Sequence, residues 1–128
     1  MVQYLNLEYW KKVQELANVD QEFGIKAKMF VASFTFKVSD KADLKPIYAK
    51  FADGKIVELR NLNEGEKTDF SLEGTYDVWS MVNKGELDGS NAIMQRQLQF
   101  KGNMSNIIRY SKSFLRLFQL MQKVPVEY

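Results

Sequence analysis

Asp53-Gly54 lies inside "PIYAKFADGKIVELRNL" (46–62), between two runs rich in Val, Ile, Tyr and Phe. No short sequence signal for a hairpin is stronger, because a two-residue turn between antiparallel strands needs positive φ at both central positions. Gly adopts that conformation freely and Asp tolerates it. The dipeptide therefore commits the middle of the chain to a pair of antiparallel strands. Just upstream, "KMFVASFTFKVSD" (28–40) alternates with period two, placing Phe30, Ala32, Phe34, Phe36 and Val38 on one strand face.

The flanks read differently. At 7–19 the apolar residues Leu7, Trp10, Val13, Leu16 and Ala17 recur at helical spacing, with Asn6 as cap and Glu8 in the first turn. Asp20 caps a further short turn through Phe23, which Gly24 is expected to interrupt. A polar loop at 61–67 precedes a fourth strand with Phe70 and Leu72 on one face. Tyr76, Trp79 and Val82 then return at helical steps, and Gly85 suits a left-handed cap. Asp88-Gly89-Ser90 opens a short helix through Ala92 and Met94, Leu98 and Phe100 alternate as a fifth strand, and Gly102 turns into a final helix over 104–123. Strands clustered in the middle with helices at both ends predict an α+β fold rather than alternating βαβ units. With 128 residues, 45% of them hydrophobic, the chain is expected to form a single domain over 1–128.

Composition removes several functions. The chain has neither Cys nor His, so disulfides, thiolate metal sites, cysteine nucleophiles and the commonest general base and zinc ligand are all missing. Glu64 and Glu66, or Glu86 and Asp88, sit in polar loops without the spacing of a calcium site and read as solvated charge. No cofactor or metal is expected, and 18 basic against 16 acidic side chains are too balanced for a nucleic-acid partner. No apolar run reaches the length that spans a bilayer, and the start "MVQYLNLEYWKK" is unlike a signal peptide, so a cytoplasmic protein is expected.

The final helix carries more apolar surface than one sheet face requires. Ser105, Arg109, Lys112, Arg116, Gln119 and Lys123 make one narrow polar seam; Met104, Ile108, Leu115 and Phe118 form a seam on one side of it, and Ile107, Tyr110, Phe114, Leu117 and Met121 on the other. Three uses remain open: ordinary core, an interface with a second copy or a membrane surface, or the wall of a cavity for an apolar molecule.

Residues in the second half resemble a known family. "TYDVWSMV", "KGELDGSNAIM" and "LQFKGNM" are similar to the sterol-carrier-protein-2 family in its aromatic helix, its K/R-G-x-x-D turn, its Ala-x-Met helix and its G-N/D-M entry to an apolar C-terminal helix. The matching positions are Trp79, Lys84, Gly85, Asp88, Ala92, Met94, Leu98, Gly102, Asn103 and Met104, and the order of elements extends the likeness over nearly the whole chain. Arg96 departs from the pattern, standing where family members often carry Gly before the last strand. "VPVEY" is unlike the peroxisomal address of eukaryotic carriers, so that location is not carried over.

The resemblance implies a five-stranded, mainly antiparallel sheet covered by helices. It further implies a hydrophobic tunnel for a sterol, fatty acid or fatty acyl-CoA, and no covalent chemistry. The candidate lining is Phe34, Phe36, Trp79, Val82, Met94, Phe100, Met104, Ile108, Leu115 and Phe118, each with ordinary core packing as its alternative, and Phe34 and Phe36 are placed to plug the space as readily as to line it. Six Met and 17 aromatic residues suit adaptable apolar contact. Arg109, Lys112, Arg116 and Lys123 read either as a solvated helix face or as a contact for an anionic bilayer, and residues 101–128 carry a local charge of +4. The competing functions are a homodimeric interaction module and an accessory domain to a lipid-metabolising enzyme.

Overall fold

The computed structural model describes residues 1–128, the side chain of Ile107 excepted. In chain order the elements are β1 (Val2–Gln3), α1 (Leu7–Val19), α2 (Gln21–Lys26), β2 (Ala32–Val38), β3 (Ile47–Ala52), β4 (Lys55–Asn61) and β5 (Phe70–Gly74). They continue as α3 (Tyr76–Asn83), α4 (Gly89–Met94), β6 (Gln99–Lys101), α5 (Met104–Arg109), α6 (Ser111–Lys123) and β7 (Val126–Glu127). Asp53 (φ 54°) and Gly54 (φ 71°) make the predicted hairpin turn between β3 and β4. The main sheet has the order β4-β3-β2-β5-β6, antiparallel except for the central β2–β5 pair, which is parallel because the chain crosses over between β4 and β5.

One face of this sheet is apolar, as the alternation requires. Phe34, Phe36, Ile47, Ala49, Phe51, Phe70 and Leu72 are buried there, whereas Lys37 and Glu73 pair across the opposite face, where Arg60 lies 4.0 Å over the Tyr48 ring. The run "KIVELRN" does not alternate cleanly, and a bulge explains how it still fits. Phe51 pairs with Ile56 but Lys50 pairs with Glu58, so Val57 is extruded to solvent and both Ile56 and Leu59 turn inward. The outward backbone of Ile56 on this edge strand is met by α1: its N–H donates to Asn18 Oδ1 at 2.8 Å, and its carbonyl accepts from Gln14 Nε2 at 2.8 Å. One side of the sheet edge is thereby covered by helix.

Caps start the helices, at Asn6, Asp20 and Asp88 where the sequence places them and at Thr75 besides. The side chains of Asn6, Asp20, Thr75 and Asp88 accept from the backbone N–H of Tyr9, Phe23, Val78 and Asn91, satisfying donors that a helix leaves unpaired. Trp10 of α1 stacks on Phe36 at 4.5 Å between ring centroids, fixing the helix on the apolar face. Gly24 does not interrupt α2, which runs on to Lys26. The backbone of Gly24 lies against Gly54 of the hairpin turn, and Gly54 is the residue whose missing side chain allows the approach, since a β-carbon on Gly24 itself would meet only ordinary contact.

Two departures concern the chain ends. The predicted single helix over 104–123 is broken at Tyr110 (φ −106°, ψ 20°) into α5 and α6. The Tyr110 ring packs 4.8 Å from Phe30 and its hydroxyl donates to the Met29 carbonyl at 3.3 Å, an anchorage that periodicity cannot foresee. Strands β1 and β7 form an unexpected parallel ladder joining the two ends of the chain, each too short to show a period. Tyr4 continues it, its N–H donating to Glu127 and its buried hydroxyl to the Trp79 carbonyl at 2.8 Å.

Gly54→Ala is expected to destabilise the fold by about 2 kcal/mol or more, because a β-carbon there is strained by the positive φ and overlaps the Gly24 backbone. Urea unfolding of the two proteins measures the difference.

Candidate functional site

Around Phe34, aromatic rings pack between the sheet and its covering helices. Phe34 is 1% exposed and its ring lies 5.1–5.9 Å from those of Phe36, Phe51, Phe70 and Phe114. Phe36 is held between Phe34 and Trp10, and Trp79 is buried with its indole N–H donating to the Lys37 carbonyl at 3.1 Å. These three candidates sit in the closed centre of the core and face no open cavity described in this structure.

Open volume lies at the rim. A groove of about 700 Å³ runs along the edge strand β6, and Ile93, Met94, Phe100 and Met104 give it apolar walls. That volume falls within the ordinary range for small-molecule sites, about 300–1,000 Å³. Phe100 forms the partition: one side of its ring stacks on Phe70 at 5.7 Å, next to Phe34 at 6.4 Å, and the ring is also part of the groove wall. Met94 is 80% exposed and Met104 54% exposed, and Ile108, one turn beyond Met104 on α5, is 69% exposed. Arg96, Gln99 and Lys101 complete the lining.

A smaller cleft of about 270 Å³ between α3, α4 and α6 gathers Val82, Leu115 and Phe118, where the Phe118 ring closes against Gly89. The ten candidate lining residues are thus divided three ways: Phe34, Phe36 and Trp79 in the core; Met94, Phe100 and Met104 in the groove, with Ile108 beside them on α5; and Val82, Leu115 and Phe118 in the cleft. Sequence reasoning missed Ile93, Arg96, Gln99 and Lys101. Gln99 and Lys101 read as the polar side of a strand, and only the edge position of β6 brings that side to the groove.

The break at Tyr110 also rearranges the seams of the last helix. Leu117, Leu120 and Met121 face the core, Tyr110, Phe114 and Phe118 are partly buried, and Met104, Ile108 and Leu115 turn outward. The side chain of Ile107 lies outside the described residues. Of the four cations on the polar seam, Arg109, Lys112 and Lys123 are exposed. Arg116 is not a free surface charge: only 16% of its side chain is exposed, and its guanidinium donates to both Asp20 oxygens, at 2.9 and 2.7 Å, with Glu22 3.2 Å away. Asp20 thereby ends α1, caps α2 and anchors α6 together. Among the described residues no cluster of acidic side chains is arranged to hold a metal ion, and no helix is long and apolar enough to cross a membrane.

The model of the SCP-2 sterol transfer family matches residues 12–114. The chain belongs to that family. Its fold agrees: a crystal structure of sterol carrier protein 2 superposes with a TM-score of 0.86 at 16% identity, covering 96% of this chain and 100% of the other. A conserved hypothetical protein of Thermus thermophilus gives 0.82 at 16% identity, with 99% and 93% covered. A more distant match, a UbiJ-SCP2 ubiquinone synthesis protein, gives 0.57 at 12% identity, with 89% and 88% covered. At such identities these structures establish likeness of fold alone, and none of the curated proteins compared matches the chain. Membership places this SCP-2 domain in a lipid-binding and transfer class.

The ion pair that fastens α6 of the SCP-2 domain makes its stability sensitive to acid. Hydrogen bonds from Arg116 and from the Phe23 N–H hold the Asp20 carboxyl at about 2, below its ordinary 3.8. A depressed carboxyl contributes stability that is complete above the unfolded value and is lost as pH falls through the folded one. Thermal unfolding temperature is therefore expected to drop between about pH 4 and pH 2, and Asp20→Asn to lower it at neutral pH while flattening part of that acid slope. Glu66, held at about 2 mainly by its hydrogen bonds from Arg60, keeps the remainder.

Proposed function

We propose that this SCP-2 domain carries a single lipid whose apolar part lies in the groove beside β6, and that it assists transfer of that lipid without any covalent step. The observation that supports this reading is the exposed apolar rim. Met94, Met104 and Ile108 are large hydrophobic side chains left in water next to a groove of ligand size, an arrangement that marks binding surfaces rather than finished cores. Fatty acid, fatty acyl-CoA and sterol are the ligand classes of the family resemblance. Two methionines suit a site that adapts to its guest, because the unbranched thioether side chain fills irregular space.

The rings packed around Phe34 support a guest lying in the rim groove rather than beneath the helices. A longer guest would reach inward only by displacing Phe100, the partition between groove and core. The cations Arg109 and Lys112 follow the exposed apolar residues of α5 along the chain and form the candidate contact for an anionic membrane surface, with Lys123 at the far end of α6. Arg116 is excluded from this role by its pairing with Asp20.

The same rim favours a second reading, in which another copy of the chain covers it. The test is titration of delipidated protein with a fluorescent fatty acid, alongside sedimentation. Saturation at one ligand per chain is expected, and Met94→Asp with Met104→Asp should weaken uptake by tenfold or more, since each buried apolar side chain contributes about 1.5–3 kcal/mol. Both residues are exposed, so the unfolding temperature should hold. A concentration-dependent dimer that ignores lipid and is lost in the double variant would instead establish the second reading.

A further inference from the structure

Two helices of this chain end in the same backbone motif, and they fill its critical position differently. After α3, the Gly85 N–H donates to Val82 and the Glu86 N–H to Met81, with Gly85 at φ 78°. After α4, the Arg96 N–H donates to Ile93 and the Gln97 N–H to Ala92, with Arg96 at φ 61°. Both are C-terminal caps that require one left-handed residue, a conformation that is free for Gly and costs most other residues energy. The first cap uses Gly; the second holds an arginine.

The strained cap opens onto the groove. Arg96 and Lys101 both belong to its lining, which contains no carboxylate among the described residues. Neither cation is engaged in an ion pair among the described residues. The cleft at Leu115 includes Asp88, and Lys101 also borders the polar hollow beside the 61–69 loop, where Glu66, Asp69 and Glu73 lie, so Arg96 is the cation that belongs to the groove alone. Two unpaired cations beside walls made of Ile93, Met94, Phe100 and Met104 are complementary to one kind of molecule, a hydrocarbon chain ending in a negative charge.

We propose that the groove selects an anionic single-chain amphiphile, its chain lying on Met94, Phe100 and Met104 and its carboxylate or phosphate head held by Arg96 and Lys101. This deepens the lipid-carrier reading above and rests on it. Arg96 is the specificity-determining residue; the left-handed cap fixes its backbone at the groove, and the energy that Gly would spare is spent on placing a guanidinium there. A neutral sterol or alcohol leaves both cations without a partner.

The experiment compares dodecanoate, dodecyl phosphate and dodecanol, three probes with the same chain, by calorimetric titration of delipidated protein at neutral pH. In the wild type at least one anion is expected to bind about tenfold or more tightly than the alcohol, a preference that weakens with added salt. Which anion is preferred identifies the head group. Arg96→Gly should unfold at the same or a higher temperature, because the cap geometry suits glycine, yet lose most of the anion preference, its affinity for the anions falling far more than that for dodecanol. Arg96→Lys should recover much of the preference, and Lys101→Gln should diminish it. If the alcohol binds as tightly as the anions, or if Arg96→Gly leaves the preference intact, the proposal is overturned while the carrier function stands. If none of the three probes binds, both fall together.

Discussion

Phe34 decides where this protein has room for anything else. Its ring meets five others, those of Phe36, Phe51, Phe70, Phe100 and Phe114, with centroids 5.1–6.4 Å apart, at the centre of the apolar sheet face. Aromatic rings in offset and edge-on contact gain energy beyond the area they bury, and a close-packed interior resists expansion. With Trp10 and Trp79 closing the other end of the row through Phe36, the region between sheet and helices becomes a continuous aromatic layer. Trp10 of α1 and Phe114 of α6 pack on it, and the groove of about 700 Å³ lies at the edge of the sheet.

The edges of that sheet are treated unequally. At β4 the backbone of Ile56 is met by Asn18 and Gln14, so helix α1 covers the strand. At β6 the groove along the strand is walled by short elements, α4 before it and α5 after it. Short helices with exposed apolar side chains have little buried surface to hold them, which places this end of the molecule among its least stable parts. Binding surfaces are commonly drawn from such parts, and the paired residues Asp20 and Arg116 keep α6 itself firmly docked nearby.

Much of this was legible in the sequence because local chemistry suffices for it. Asn6, Asp20 and Asp88 announce helix starts whatever surrounds them, Asp53-Gly54 announces its turn, and the alternation around Phe34 and Phe36 announces an apolar sheet face. The resemblance carried by "KGELDGSNAIM" and "LQFKGNM" supplied the family. The candidate site was legible only in part. Met94, Phe100 and Met104 gather at the groove, but Phe34, Phe36 and Trp79 read the same whether a sheet face is lined by ligand or by other rings. Arg116 looked like its neighbours on the polar seam, since a partner 96 positions away leaves no periodic trace. Tyr110 broke the last helix for a similar reason, its ring being drawn to Phe30.

By itself, the sequence determined the elements, their apolar faces, the absence of cysteine and histidine chemistry, and the family, since all of these depend on residue type and spacing within a few positions. Only the tertiary structure decided that Phe34, Phe36 and Trp79 pack together in the core and that β6 is an edge strand. It alone set Arg96 and Lys101 beside an apolar groove without a carboxylate among its lining residues. Those facts depend on which distant segments meet, and contact across a sheet leaves no mark on spacing along the chain.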